Sequence, residues 1–400
     1  MRSNLLVIQG GGPTSVVNAS LAAIIHEQQL QAPAGRIYGA RFGMQGLAQH
    51  ELIDVTEMSG QALDHLRDSP GAALGSSRFA PAESDLKACL QVLRSRSINQ
   101  IIFLGGNGTM AGAERFSIFC KSQNYDVQVM GAPKTIDNDI ASTDRCPGYG
   151  SAARFVAQST LDLGMDLASL PQPFSIFETL GRDVGWLAAA SVLAKQGEVE
   201  APHVICIPEV PFQLDRFLGA IDEAVRRVGW AMAVVSEGIC HGDGTPVFQQ
   251  VMPSGAHIPV RPLIGGVAQH LSGLVAQHLG VRCRSEKPGL IGRSSLAHVS
   301  PQDLQDAEAT GRACVKAMAE GKSGFMASLL PLSLGEGRVE LLPLEKAAGS
   351  RRTLPAEWLC DGAIPVSTGF CDYLAPIVGP LRRYAAPLSG RVVLPAALPD

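Results

Sequence analysis

The sequence predicts an α/β fold: two three-layer α/β units with mostly parallel sheets. Three observations predict it. Short continuous apolar runs end in glycine turns, as strands buried on both faces do; segments of helical spacing separate them; and the pattern restarts near residue 150. A chain of 400 residues suits two domains better than one core.

The elements follow in order. NLLVIQG (4–10) reads as a first strand, and its short apolar run is too brief for a signal peptide. VVNASLAAIIHEQQL (16–30) has helical spacing, with Val17, Leu21, Ala22, Ile24 and Ile25 on one broad face. QIIFLGG (100–106) is a second buried strand, a helix is expected over 109–122, and VQVMGA (127–132) is a third strand. A Pro-Gly-Tyr-Gly turn at 147–150 marks the boundary. Beyond it, strands are expected at 175–181, 203–209 and 232–238, with helices at 185–197 and 213–229. Residues 301–320 read as a long amphipathic helix with Pro301 in its first turn and acids nearby. From about 335 the chain is richer in proline and weakly periodic.

Composition narrows the function classes. The formal net charge is −4 and no basic tract occurs, which argues against nucleic-acid binding. No run of 18 apolar residues predicts a membrane span. Nine cysteines without a C-x-x-C pair fit reduced thiols in a cytoplasmic protein. The nine histidines show no H-x-x-x-H spacing, so zinc is not expected.

In parallel sheets the loops after strand C-termini collect the ligand. GGGPTSVVN (10–18) leaves backbone N–H groups free for an anion, or is only a tight turn. GGNGTM (105–110) poses the same alternatives, with the Thr109 hydroxyl added. PKTIDNDI (133–140) is the most unusual: Thr135, Asp137 and Asp139 alternate, so an extended backbone turns all three to one side, beside Lys134. That set suits proton abstraction with management of phosphate and metal charge; a polar turn is the alternative. Arg182 in ETLGRD (178–183) can reach phosphate oxygens, or pair with an acid. Glu237 can accept sugar hydroxyls, or be a solvent acid. Arg284, Lys287 and Arg293 in RSEKPGLIGR can neutralise a phosphomonoester, or form a solvated basic loop.

Taken together, these loops resemble the phosphofructokinases, over about residues 4 to 325 and closest to the pyrophosphate-dependent branch. GGPTSVVN is similar to that family's first phosphate loop, GGNGT to its Gly-Gly-Asp loop, PKTIDND to its signature, TLGR to its Met-Gly-Arg, and GSSRF (75–79) to its Gly-Ser-x-Arg. The resemblance implies an active site in the cleft between two units: 1–148 binding pyrophosphate, completed by about 292–325, and 149–291 binding sugar phosphate, with 326–400 packing on both. It implies transfer from pyrophosphate to the 1-hydroxyl of fructose 6-phosphate. Asp137 would be the base; Thr135 and Arg182 would hold the moving phosphoryl group, with Lys134 beside them. Gly12, Arg78, Gly108, Thr109 and Lys134 would meet the donor. Leu180, Gly181, Glu237, Arg284, Lys287 and Arg293 would bind the sugar phosphate, and Asn107 and Asp139 would hold Mg2+. A homodimer or homotetramer is also implied. Lys134 is expected to fill the space that a nucleotide's remainder would take.

Three positions depart from the pattern. Gly108 matches the ATP-using branch, so ATP remains the alternative donor. Pro173 stands where the family has an arginine for the sugar phosphate, which leaves the acceptor open, with Lys287 as a replacement. Asn107 replaces the metal aspartate; one negative charge lost at about 4 Å is worth about 1–4 kcal/mol. Asn107 and Pro173 also suit a non-catalytic sugar-phosphate-binding regulator, against which the intact TIDND argues.

Overall fold

The computed structural model describes residues 4–171, 173–249, 265–348 and 351–385; the remaining parts of the expected units lie outside the described residues. The strands are β1 (Asn4–Gln9), β2 (Ile37–Ala40), β3 (Leu52–Asp54), β4 (Ile98–Gly105), β5 (Gln128–Pro133), β6 (Phe174–Thr179), β7 (Val204–Cys206), β8 (Ala231–Ser236), β9 (Cys283–Glu286), β10 (Phe325–Leu329) and β11 (Val339–Pro343). They form a seven-stranded sheet, β11-β10-β5-β4-β1-β2-β3, and a four-stranded sheet, β7-β8-β6-β9. The first is parallel except for its antiparallel edges β3 and β11; the second is wholly parallel.

Both sheets are covered on both faces, as continuous apolar strands require. In β1, Leu5 and Val7 pack with Leu21, Ile24 and Ile25, while Leu6 and Ile8 face Phe116 and Leu93. In the second sheet, Phe177, Met232 and Val234 meet Tyr149, Trp186 and Phe370, and Ile176, Ala233 and Val235 meet Phe217, Ile221 and Leu271.

Several elements differ from expectation. The helix Val17–Gln31 is buried on nearly every side over its first two-thirds, because the helix Pro301–Ala319 packs on its outer face. Its small residues Ala19, Ser20 and Ala23 permit that approach: a Cβ at Gly311 would lie 2.6 Å from the Ser20 carbonyl. The expected helix 185–197 is a short helix, Trp186–Ala190, continued by a 3-10 turn over Ser191–Ala194. The strand expected at 203–209 shrinks to β7, while β2, β3 and β9–β11 are too short for their sequence pattern to announce them. The acids of Pro301–Ala319 are not on a solvent face. Asp303 accepts from the backbone of Gly148 and Ser151 and from the Ser151 hydroxyl, which caps the helix Tyr149–Ala168. Asp306 takes both prongs of the fully buried Arg145, at 2.6 and 2.7 Å.

The tail is built into both units. β10 and β11 extend the first sheet, residues 351–354 cross the cleft, and the helix Thr368–Val378 packs with Tyr149 and Trp186 in the second unit. No described helix is long and apolar enough to cross a membrane. All nine cysteines are unpaired, four of them buried.

Candidate active site

The glycine turns after β1 and β4 are locked together by Thr109. Cβ atoms placed on Gly10 and Gly105 would collide with its side chain, so only glycine admits this contact. The helix starts at Asn107, earlier than expected, and therefore Asn107 and Gly108 present first-turn N–H groups to the cleft, while the Thr109 N–H closes back on the Gly106 carbonyl at 2.9 Å. Gly11 has φ 76°, and its N–H and C=O are held by Ser77 and Ser76. That pairing brings Arg78 beside both glycine turns. Arg78, Gly10, Gly11, Gly106, Gly108 and Thr109 line a cavity of about 460 Å³, whose far wall includes Met44, Phe79, Pro81 and Phe103.

The 133–140 segment keeps the expected alternation: Thr135, Asp137 and Asp139 are half-buried, and Ile136, Asn138 and Ile140 are buried. It is also a turn, because the Asp137 N–H donates to the Thr135 hydroxyl at 3.1 Å. The alternation and the turn therefore occur together in one segment. Asn138 sets the bend. It sits at φ 54°, accepts from the Cys146 N–H and donates to the Tyr373 hydroxyl.

Lys134 is 3% exposed. Its ammonium donates to the carbonyls of Gly10 at 2.8 Å and Gly12 at 2.5 Å. It does not line the 460 Å³ cavity. Its head is held under the first glycine turn by those two carbonyls. Arg293 reaches the same turn. Its Nη1 would be 2.7 Å from a Cβ on Gly12. The structure accordingly places the Arg293 guanidinium beside the first glycine turn, apart from Arg284, with which the sequence pattern grouped it.

From the second unit come the loops after β6 and β8. Gly181 has φ 123°, its carbonyl accepts from the Ser236 hydroxyl, and the Glu237 N–H donates to Thr179 at 3.0 Å. Gly238 packs directly on the Arg182 backbone, where a Cβ would overlap the carbonyl. Arg182 and Glu237 are therefore set side by side, and Leu180 packs on the core behind them. Lys287 lies 3.1 Å from Glu178, whose carboxylate also accepts from the N–H groups of Gly266 and Ala268. Arg284 stands exposed on the edge strand β9, and the structure does not bring it into the buried cluster.

The electrostatics join the two units. Burial, then the neighbouring carboxylates Asp139 and Asp183, push Asp137 up to about 6. Burial, then Arg293, push Lys134 down to about 7, with Arg78 adding to the effect. Burial and Arg78 also lower Arg293. Burial, then Glu178, raise Glu237 to about 7, with Asp137 contributing from across the cleft. Lys134 and Arg293, both lowered by burial and by the nearby Arg78, mark a place prepared for an anion.

The oxygen donors suit a hard cation. The Asn107 side chain donates to the Asp139 backbone carbonyl at 3.1 Å, which leaves its own Oδ1 buried without a partner. Beside it stands the Asp139 carboxylate, raised by burial. An orphaned carbonyl oxygen next to a carboxylate fits magnesium.

Sequence reasoning missed Asp183, Arg351, Asn138 and Glu209. Asp183 adjoins the Arg182 motif, and Asn138 lies inside TIDND, so both were within reach. Glu209 accepts from the N–H groups of Gly185 and Leu354, which ties the tail to the loop after β6. Arg351 carries no local signal beyond an Arg-Arg doublet in a weakly periodic stretch.

The phosphofructokinase family model matches residues 4–318. The chain is 34% identical over 387 residues to a pyrophosphate–fructose 6-phosphate 1-phosphotransferase of Xanthomonas campestris, covering 94% of this chain and 91% of the relative. It is 35% identical over 378 residues to a sulfofructose kinase of Alkalicoccus urumqiensis, covering 90% and 96%. The crystal structure of a pyrophosphate-dependent phosphofructokinase from Nitrosospira multiformis superposes with a TM-score of 0.86 at 29% identity, covering 97% of this chain and 95% of that one. With the signature loops gathered in one cleft and the family model matching most of its length, this chain belongs to the phosphofructokinase family.

Proposed function

We propose that this protein moves a phosphoryl group from pyrophosphate to the 1-hydroxyl of fructose 6-phosphate. The products are fructose 1,6-bisphosphate and phosphate, and the reaction is reversible and magnesium-dependent. One observation carries the reading: Arg78, Lys134 and Arg293 converge on the first glycine turn, beside Asp137. That charge is concentrated where a compact diphosphate sits. Likeness to relatives named as pyrophosphate-using enzymes supports the same donor.

Phosphoryl transfer is mostly positioning and charge neutralisation. Lys134 has spent two N–H groups on carbonyls and keeps a third for the donor. Asp137 takes the proton as the sugar oxygen forms its bond to phosphorus and phosphate leaves. Arg182 and Thr135 hold the moving group, while Glu237 and Leu180 seat the sugar. Asn107 and Asp139 would hold magnesium, which when bound neutralises charge on the diphosphate.

Two observations favour second readings. The cavity beside Gly108 stays open, and its wall of Met44, Phe79, Pro81 and Phe103 suits a nucleoside, which favours ATP as donor. At the acceptor end Pro173 contributes no charge, and Lys287 is already paired with Glu178. A C6 group with one negative charge, as in the sulfofructose named for one relative, suits that end. Kinetics with each donor against each acceptor test all three readings. We expect the highest kcat/KM with pyrophosphate and fructose 6-phosphate. Turnover with ATP alone overturns the donor, turnover with the sulfonate alone overturns the acceptor, and none with any pair leaves a binding protein.

A further inference from the structure

Arg351 comes from the tail, yet its guanidinium lies in the cleft. Its Nε is 3.5 Å from the Asp139 carboxylate and its Nη1 is 2.9 Å from Asp183. The first acid follows the catalytic loop of the first unit, and the second follows Arg182 in the other. The backbone fixes the arrangement. Residue 351 bridges to Ile140, and the Arg352 N–H donates to the Asp139 carbonyl at 2.9 Å. Arg352 itself lies over the Trp186 ring at 4.4 Å, so this crossing is anchored in both units. Arg351 remains 40% exposed on its side chain, which leaves it room to move.

The same Asp139 carboxylate sits beside the orphaned Asn107 oxygen. One anion therefore faces two cations: the tail guanidinium and the metal. We propose that Arg351 is a positioning residue that acts as resident counter-ion of the metal carboxylate. It pairs with Asp139 and Asp183 and yields Asp139 to the metal that arrives with the diphosphate. The inference rests on the metal assignment made above for Asn107 and Asp139. The consequence is counter-intuitive for a cleft arginine: removing it tightens metal binding.

Manganese, an oxygen-seeking stand-in for magnesium, gives a readout apart from turnover. The full-length protein is titrated with Mn2+ in the presence of methylenediphosphonate, and free ion is followed by electron paramagnetic resonance. Arg351→Gln should bind Mn2+ about twofold to fivefold more tightly, the size expected for loss of a half-exposed ion pair. Arg351→Lys should stay close to wild type. Asp183→Asn, which leaves the guanidinium to Asp139 alone, should bind more weakly. Equal or weaker binding by a normally melting Arg351→Gln overturns the proposal. If that variant melts early, Asp183→Asn decides, and unchanged binding there overturns it as well. Absence of Mn2+ binding by the wild type removes Asp139 as metal carboxylate, and the magnesium assignment falls with Arg351; wild-type binding that ignores position 351 removes Arg351 only.

Discussion

A buried ammonium persists only where it has partners, and Lys134 has the carbonyls of Gly10 and Gly12. It therefore holds the first glycine turn in shape and offers charge at the same time. Removing it should affect donor and acceptor unequally. Lys134→Met should raise KM for pyrophosphate by about 10- to 100-fold, the worth of a hydrogen bond to a charged group, and leave KM for the sugar phosphate nearly unchanged. The pH sign follows. In the free protein Lys134 is pushed down to about 7, so donor capture, read as kcat/KM for pyrophosphate, falls as pH rises above about 7. That limb should be absent in Lys134→Met. An alkaline limb that survives the substitution assigns it to another group. Lys134 and Asp137 were legible as residues because an alternating Thr-x-Asp-x-Asp beside a lysine is rare chemistry for a bland turn. Where the lysine head points was not legible, since it depends on two carbonyls more than a hundred residues away.

Between elements, the contacts that set the site are made by glycines. Thr109 wedges between Gly10 and Gly105, and Gly238 lies on the Arg182 backbone. These turns were readable at the strand ends, but their mutual contact was not. A glycine in sequence does not reveal what approaches it. The consequence is testable at Gly238. An added methyl must displace the Arg182 carbonyl, and displacement of a catalytic group by about 1 Å costs about 10²-fold in rate. Gly238→Ala should lower kcat by that order, while circular dichroism stays native. A variant with near-normal kcat would show that the two loops do not set Arg182. The helices follow the same logic. The helix expected over 16–30 is present, but not with one apolar face: its burial on nearly every side arises from a helix almost 300 residues later. Likewise the partners of the acids in Pro301–Ala319, Arg145 and the Tyr149–Ala168 helix end, lie about 150 residues away and are not written in the local sequence.

Across the whole molecule, the chain passes between the two units repeatedly, and the cleft is where those passages meet. Lys134, Asp137 and Asp139 come from the first unit, Arg182 and Glu237 from the second, Arg293 from the return and Arg351 from the tail. Most of these were legible because each follows a strand end, where parallel sheets place ligands. The tail was not, because β10 and β11 are short strands at one side of the sheet and residues 351–354 follow no periodic pattern. The account's central claim is that diphosphate held by the three cations gives a phosphoryl group to a sugar oxygen deprotonated by Asp137. The most direct measurement is 31P NMR of pyrophosphate, fructose 6-phosphate and magnesium with wild type and with Asp137→Asn. The account predicts that the pyrophosphate signal is replaced by equal phosphate and 1-phosphoryl signals, with the 6-phosphate retained. In Asp137→Asn this should be slower by about 10²-fold or more, with pyrophosphate still bound. No conversion by the wild type, or an undiminished rate in Asp137→Asn, would contradict it.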